Sequence, residues 1–208
     1  VVFAAFILIV VVYFRPVFFE NKSMTQHDIM QWEASAKELI DYRNETGKEG
    51  LWAESMFSGM PAYLVNTKWS NQPVVFIQQL FTLWFPHPVG LILLSLVGTY
   101  ITMLIFGARS FVAAAGAISY SMSSYILIGM SAGHNSRIGA IAMLPLIIGG
   151  IHLAYKKNKL LGIAVTATAL ALQLRFNHLQ ITYYTLLIIV VYAIFQLVEA
   201  YKEKTIKD

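Results

Sequence analysis

Long apolar runs fill most of this chain, and one long polar segment interrupts them early. About 20 apolar residues in helical conformation cross the hydrocarbon core of a bilayer. Six runs approach this length, so the pattern predicts an all-α, polytopic transmembrane bundle. The predicted spans are Val1–Phe19, Pro88–Phe106, Phe111–Met130, Ile138–Tyr155, Leu160–Leu174 and Ile181–Ala200. The chain then reads as one module, with a first span (1–19), a long loop (20–87), five further spans (88–200) and a tail (201–208).

Composition supports the membrane interpretation. Hydrophobic residues make up 57% of the chain and charged residues 12%, about half the share of a typical soluble domain. The chain has no cysteine, which excludes disulfides and thiolate metal sites. Its net charge of +4 is modest and is not interpreted as a nucleic-acid footprint. Because the sequence is apolar from its first residue, we expect it to be the N-terminal part of a longer protein.

The short loops predict an orientation. Three of them, at 107–110, 155–159 and 201–207, carry seven Lys and Arg residues, whereas the loops at 131–137 and 175–180 carry two. Cytoplasmic loops are enriched in Lys and Arg, so the first three are assigned to the cytoplasm. The long loop and the two sparse loops then share the extracytoplasmic face.

The long loop itself carries helical signals. Apolar residues recur at helical intervals between about residues 26 and 46, Thr25 and Asp28 have the spacing of a capping box, and Gly47 is a plausible stop. The Gly- and Pro-containing stretch 51–63 predicts a folded segment rather than a solvated linker. Val74–Phe85 predicts a short apolar helix at the membrane interface.

Polar and charged residues at the predicted outer face are candidates for chemistry. A carboxylate facing arginine and histidine side chains suits a site that handles phosphate, in which the cations hold the anion and the carboxylate orients a hydroxyl. Asp28 is the candidate catalytic residue. The candidate phosphate-binding residues are His27, His134, Asn135, Arg137, Arg175 and His178.

Each candidate also has a structural interpretation. Asp28 suits the first turn of a helix whatever its chemistry, and Arg137 and Arg175 adjoin spans from which they can snorkel to the interface. His178 could cap the last span. A divalent metal is left open, with His27, Asp28, His134 and His178 as donors, although no His-x-x-x-His spacing supports a metal site.

Three motifs resemble the N-terminal part of the YfhO family of bacterial membrane proteins. They are WAESMFSGMPAY at 52–63, GHNSR at 133–137 before a span containing Pro145, and LQLRFNHLQITYY at 172–184. This family is similar to GT-C glycosyltransferases, multi-span enzymes that use polyprenyl-phosphate sugar donors outside the cytoplasmic membrane. In those enzymes an essential acidic residue follows the first span, and by location that residue corresponds to Asp28.

The resemblance implies a multi-pass protein of the bacterial inner membrane, with its active face extracytoplasmic. It would transfer a sugar from a polyprenyl-phosphate carrier to a cell-envelope glycan or lipid. Membrane lipid is then a further partner, and nucleic acid is not. Two alternatives stay open: a transporter or flippase for an anionic lipid-linked substrate, and a non-catalytic scaffold subunit of an envelope assembly.

Overall fold

The computed structural model describes residues 1–66 and 73–202, and this part of the chain is mainly helical. The helices are α1 (Val2–Tyr13), α2 (Arg15–Phe19), α3 (His27–Thr46), α4 (Pro73–Thr82), α5 (Gly90–Ile105), α6 (Ser110–Ser121), α7 (Ser124–Ala132), α8 (Asn135–Lys156), α9 (Lys159–Arg175) and α10 (Leu179–Lys202). Two short strands, β1 (Trp52–Ala53) and β2 (Met60–Pro61), and a 3₁₀ turn (Ala62–Leu64) lie between α3 and α4.

The membrane interpretation is confirmed in its coarse form. Among the described residues, three helical segments are long and apolar enough to cross a bilayer: Ser110–Ala132, Asn135–Lys156 and Leu179–Lys202. Each predicted apolar run is mainly helical, although the first and the third are each divided between two helices, and the number of spans stays a prediction. Residues 67–72 of the predicted loop and 203–208 of the predicted tail lie outside the described residues.

Helix α5 lies at the centre of the bundle. Apart from Ser95, its first two turns are apolar on every side, and Leu91, Ile92, Leu93, Leu94 and Leu96 are each at most 1% exposed. A helix that is apolar all round is buried on all sides, and α1, α6 and α8 pack around this one. In contrast, α10 buries few of its residues, so its apolar surface faces outward.

A tyrosine compensates for the proline inside α8. Pro145 has no backbone N–H, so the Ile141 carbonyl one turn earlier loses its helical partner. The Tyr120 hydroxyl on α6 donates to that carbonyl at 3.0 Å. The bond satisfies an acceptor that would otherwise be stranded in an apolar interior, and it ties α6 to α8.

Tyr120→Phe is therefore expected to destabilise the fold by about 1 kcal/mol, because it leaves a partly buried carbonyl unpaired. Denaturant titration of the purified chain in detergent measures the loss. Tyr155→Phe removes the same atom from a side chain that is 63% exposed, and it is expected to be neutral. Equal stability of the two variants would show that the Tyr120 bond contributes nothing.

The third predicted span is not continuous. The sequence predicted one helix over Phe111–Met130, whereas the backbone leaves helical geometry at Met122–Ser123, between α6 and α7. Three serines surround the break, at Ser121, Ser123 and Ser124, and such side chains compete with helical backbone bonding. The buried Ser121 hydroxyl donates to Ser95 on α5 at 2.8 Å, which stabilises the chain just before the break.

Side-chain contacts show that the loops lie at two ends of the helical bundle. At one end Lys156 pairs with Glu199 at 2.7 Å, and Lys157 donates to the Ile105 carbonyl at 2.7 Å. At the other end, hereafter the loop end, segment 20–87 meets the α7–α8 turn and the α9–α10 turn. The two loops of low positive charge thus lie with described parts of the long polar segment, and the side of a membrane that they face stays a prediction.

The loop before α4 forms a small folded unit. The predicted helix over about 26–46 is confirmed as α3, and Gly47 ends it with φ +70°. Strands β1 and β2 pair antiparallel, and Ala53 and Ala62 pack on Leu39 of α3. The Glu38 carboxylate accepts from the backbone N–H of Glu54 and Ser55, which attaches the strand pair to the helix.

Candidate functional site

A buried pair of amides attaches the long loop to the bundle. Gln26 and Asn135, 6% and 7% exposed, exchange two hydrogen bonds of 3.0 Å, and Gln26 also donates to the Met130 carbonyl. The predicted capping box at Thr25 is wrong, since Gln26 is the N-cap and makes no side-chain cap. Its amide is drawn away from its own helix towards α7 and α8. Asn135, predicted to bind phosphate, is engaged in this pair.

Asp28 meets His134 where α3 approaches the α7–α8 turn. Gly133 has φ +103°, and a Cβ there would lie 3.2 Å from atoms of Asp28 and Ile29. Glycine therefore lets the turn approach the start of α3 closely. The Asp28 Oδ2 lies 3.3 Å from His134 Nδ1, and both side chains are a little under half exposed. The carboxylate and imidazole form an ion pair whenever His134 is protonated.

Arg137 lies one turn into α8, against α7. Its guanidinium carbon is 5.3 Å from the centre of the Tyr125 ring, a cation–π distance. The guanidinium fits there because Gly129 has no side chain: a Cβ at that position would be 3.1 Å from Arg137 Nη2. Arg137 Nε is buried and has no hydrogen-bond partner in the described part of the chain. A guanidinium whose buried Nε–H is unbonded among the described residues is suited to bind an anion.

His178 and Thr182 present two more buried polar atoms. They stand one helical turn apart at the start of α10, so their side chains share a face. His178 Nε2 and Thr182 Oγ1 are both buried, and neither has a partner among the described residues. Burial lowers the pKa of His178 below its usual 6.5, and the positive charges of Arg137 and His134 lower it further. His178 is thus close enough to both side chains to feel their charge.

The remaining two predicted residues lie apart from this cluster. His27 is exposed, and its Nε2 lies 3.0 Å from the side-chain nitrogen of Gln31 on its own helix. Arg175, partly buried at the end of α9, donates to Gln78 of α4 at 2.7 Å. The structure thus brings together Asp28, His134, Arg137 and His178, hereafter the polar cluster.

The sequence did not single out Gln26, Tyr125 or Thr182. Residues of these types are common at such positions. Each gains a function only from the partner that the fold places beside it. Among the described residues, no group of three or more His, Asp and Glu side chains is arranged to hold a metal ion.

Comparison with family models, with curated proteins and with solved structures gave no match to this chain. The functional assignment therefore depends on the chemistry of the polar cluster.

The lowered pKa of His178 predicts a pH effect on stability. Between its folded pKa and 6.5 the unfolded chain binds more protons than the folded chain, so the free energy of unfolding falls as pH drops through 6.5. We expect His178→Gln to flatten part of this decline, as measured by thermal unfolding in detergent from pH 7.5 to 5.5. His27→Gln makes the same substitution at an exposed position and is the control. An unaltered slope in His178→Gln would contradict the assignment.

Proposed function

We propose that this chain is the membrane module of a GT-C-like glycosyltransferase related to the YfhO family. It would transfer a sugar from a polyprenyl-phosphate donor to an extracytoplasmic cell-envelope glycan or lipid. The observation that carries the proposal is the set of buried polar atoms on Arg137, His178 and Thr182 that have no partner among the described residues, close to the Asp28–His134 pair. Unpaired buried polar groups are costly, and a phosphate bound there would accept from the Arg137 N–H, the Thr182 hydroxyl and, in the tautomer protonated at Nε2, from His178.

The proposed chemistry is a direct displacement at the sugar. The acceptor hydroxyl oxygen attacks the anomeric carbon, the bond from that carbon to the phosphate oxygen breaks, and the polyprenyl phosphate leaves. Asp28 takes the hydroxyl proton, while His134 holds the carboxylate in place from 3.3 Å. Arg137 and His178 stabilise the negative charge that develops on the leaving phosphate.

The finer topology belongs to the same proposal. Six spans would cross a bacterial inner membrane, with the loop end on the extracytoplasmic side. Three helical segments of spanning length support the membrane location. The grouping of the lysine-rich loops at the opposite end agrees with this orientation under the positive-inside rule.

One observation favours a second candidate, a transporter or flippase for an anionic lipid-linked substrate. The interruption at Met122–Ser123 divides a 23-residue apolar segment into two short helices, α6 and α7. Discontinuous helices of this kind form substrate sites in secondary transporters. In that case the polar cluster would bind the phosphate without chemistry.

One experiment separates the two candidates. The full chain is placed in liposomes with a synthetic undecaprenyl-phosphate sugar and a bacterial envelope extract as the source of acceptor, and the lipid products are analysed by mass spectrometry. A transferase converts the donor to undecaprenyl phosphate only when acceptor is present. A transporter moves intact donor between leaflets, which an impermeant sugar-modifying reagent detects. Donor that is neither cleaved nor moved would overturn both and favour the scaffold alternative.

A further inference from the structure

A cavity at the loop end has different chemistry from the polar cluster. It lies between the end of α4 and the start of α5, and its volume is about 220 Å³. Drug-sized ligands occupy cavities of about 300–1,000 Å³, so this one suits a smaller ligand, near the size of a single ring. The side chains that give it its character are those of Gln78, Gln79, Thr82, Trp84, Phe85 and His87.

The lining combines polar and apolar groups and is uncharged. Among the described residues, no Lys, Arg, Asp or Glu lines the cavity. An ion entering it would give up water without gaining an opposite charge, which disfavours phosphate or carboxylate ligands. Two amides, a hydroxyl and an imidazole instead provide both donors and acceptors. Such a set matches a ligand that carries several hydroxyl groups.

Arg175 prepares one of these amides. Its guanidinium Nη1 donates to Gln78 Oε1 at 2.7 Å. The bond occupies the amide oxygen and fixes the side chain, so the Gln78 NH₂ group is left to donate to a ligand. Gln78 is neutral and lines the cavity, whereas its charged partner Arg175 is not among the lining residues. The cavity therefore gains a fixed donor without a charged lining residue.

The backbone has unusual geometry on the side of the cavity that Trp84 and Phe85 line. Leu83 and Trp84 have φ of +50° and +55°, a left-handed conformation that side chains other than glycine rarely adopt. Strained residues of this kind persist at functional sites, where the surrounding structure imposes them. Here the strained turn leaves the Trp84 side chain 57% exposed beside the two glutamines, instead of packed in the core.

We propose that this cavity binds a neutral carbohydrate, one sugar ring at a time. The flat faces of Trp84 and Phe85 would contact the apolar face of the ring, while the amides of Gln78 and Gln79 bond its hydroxyls. The proposal does not rest on transfer activity. Arg175, which donates to Gln78, is separated by only two residues from His178 of the polar cluster. A sugar bound in the cavity would therefore lie at the same end of the bundle as the candidate reaction site.

Calorimetry on the purified full chain tests the proposal, in a detergent whose headgroup is not a sugar. Glucose, galactose, mannose and N-acetylglucosamine are the probes. We expect saturable binding of at least one, weakened about tenfold or more by Trp84→Ala and by Gln78→Ala. Trp52→Ala makes the same change at a tryptophan of similar exposure in β1, and it should bind as the wild type does.

Three outcomes would overturn the assignment. The first is that a folded wild type binds none of these sugars. The second is that Trp84→Ala and Gln78→Ala both bind like the wild type. The third is that glucose 6-phosphate binds more tightly than glucose and loses this advantage in high salt, which would show that the site selects anions.

Discussion

Asp28→Asn is expected to reduce sugar transfer by about 10²- to 10⁴-fold, the usual contribution of a general base. The substitution keeps the size of the side chain and its contact with His134, whose Nδ1 lies 3.3 Å from Oδ2, but it removes the basic carboxylate that accepts the proton. Binding of the lipid phosphate should change little, because that role is assigned to Arg137 and His178. The liposome assay measures transfer, and binding is measured separately.

Glu33→Gln is the matched control. It makes the same carboxylate-to-amide change on α3, at an exposed position. We expect full transfer from this variant. If Asp28→Asn also transferred sugar at a rate within about twofold of the wild type, Asp28 would not be the base, and the direct displacement described above would be wrong.

Gly162→Ala is expected to cost the fold about 3 kcal/mol, the upper part of the range for overpacked interiors. Gly162 lies near the start of α9, where a Cβ would overlap the backbone of Ala154 on α8. Backbone atoms cannot rotate aside as a side chain can, so the two helices would have to separate along their extensive contact. Denaturant unfolding in detergent gives the loss of free energy.

Gly116→Ala makes the same substitution inside α6. There the nearest atom to a new Cβ is the terminal methyl of Met103, at 3.2 Å, and a methionine end moves easily. Alanine also favours helix over glycine by about 1 kcal/mol, so we expect this variant to be neutral or slightly stabilised. If Gly162→Ala were as stable as Gly116→Ala, the close approach of α8 and α9 would be refuted.

Much of the helical framework could be predicted from the sequence. Within a bilayer, a long apolar run satisfies its own backbone hydrogen bonds only as a helix. The ends of α5, α8 and α10 therefore fall near the predicted bounds. Gly47 was predicted as the end of α3 because glycine tolerates the left-handed conformation found there. These features depend on residues close together in the chain.

Features that depend on distant partners were missed. The break at Met122–Ser123 has neither glycine nor proline to mark it, and the sequence read as one span. The sequence shows Pro145, but no nearby residue indicated that the Tyr120 hydroxyl would donate to the Ile141 carbonyl. Thr25 had the spacing of a cap, yet the fold gave the N-cap position to Gln26, whose partner is 109 residues away.

The same distinction holds for the candidate site. The Lys and Arg content of the short loops predicted which loops lie at the same end of the bundle, because alternate loops of such a bundle share one side. It did not predict the pairings within that end: Asp28 with His134, Arg175 with Gln78, and Arg137 over Tyr125. Those pairings follow from side-chain geometry in the folded bundle.

The polar cluster is proposed to bind the phosphate of a polyprenyl lipid. Native mass spectrometry of the detergent-solubilised chain, titrated with undecaprenyl phosphate and separately with undecaprenol, measures this most directly. We predict that the phosphate form binds more tightly, and that Arg137→Gln or His178→Gln each removes this preference without altering undecaprenol binding. Equal binding of the two lipids by the wild type, or an undiminished preference in both variants, would contradict the claim.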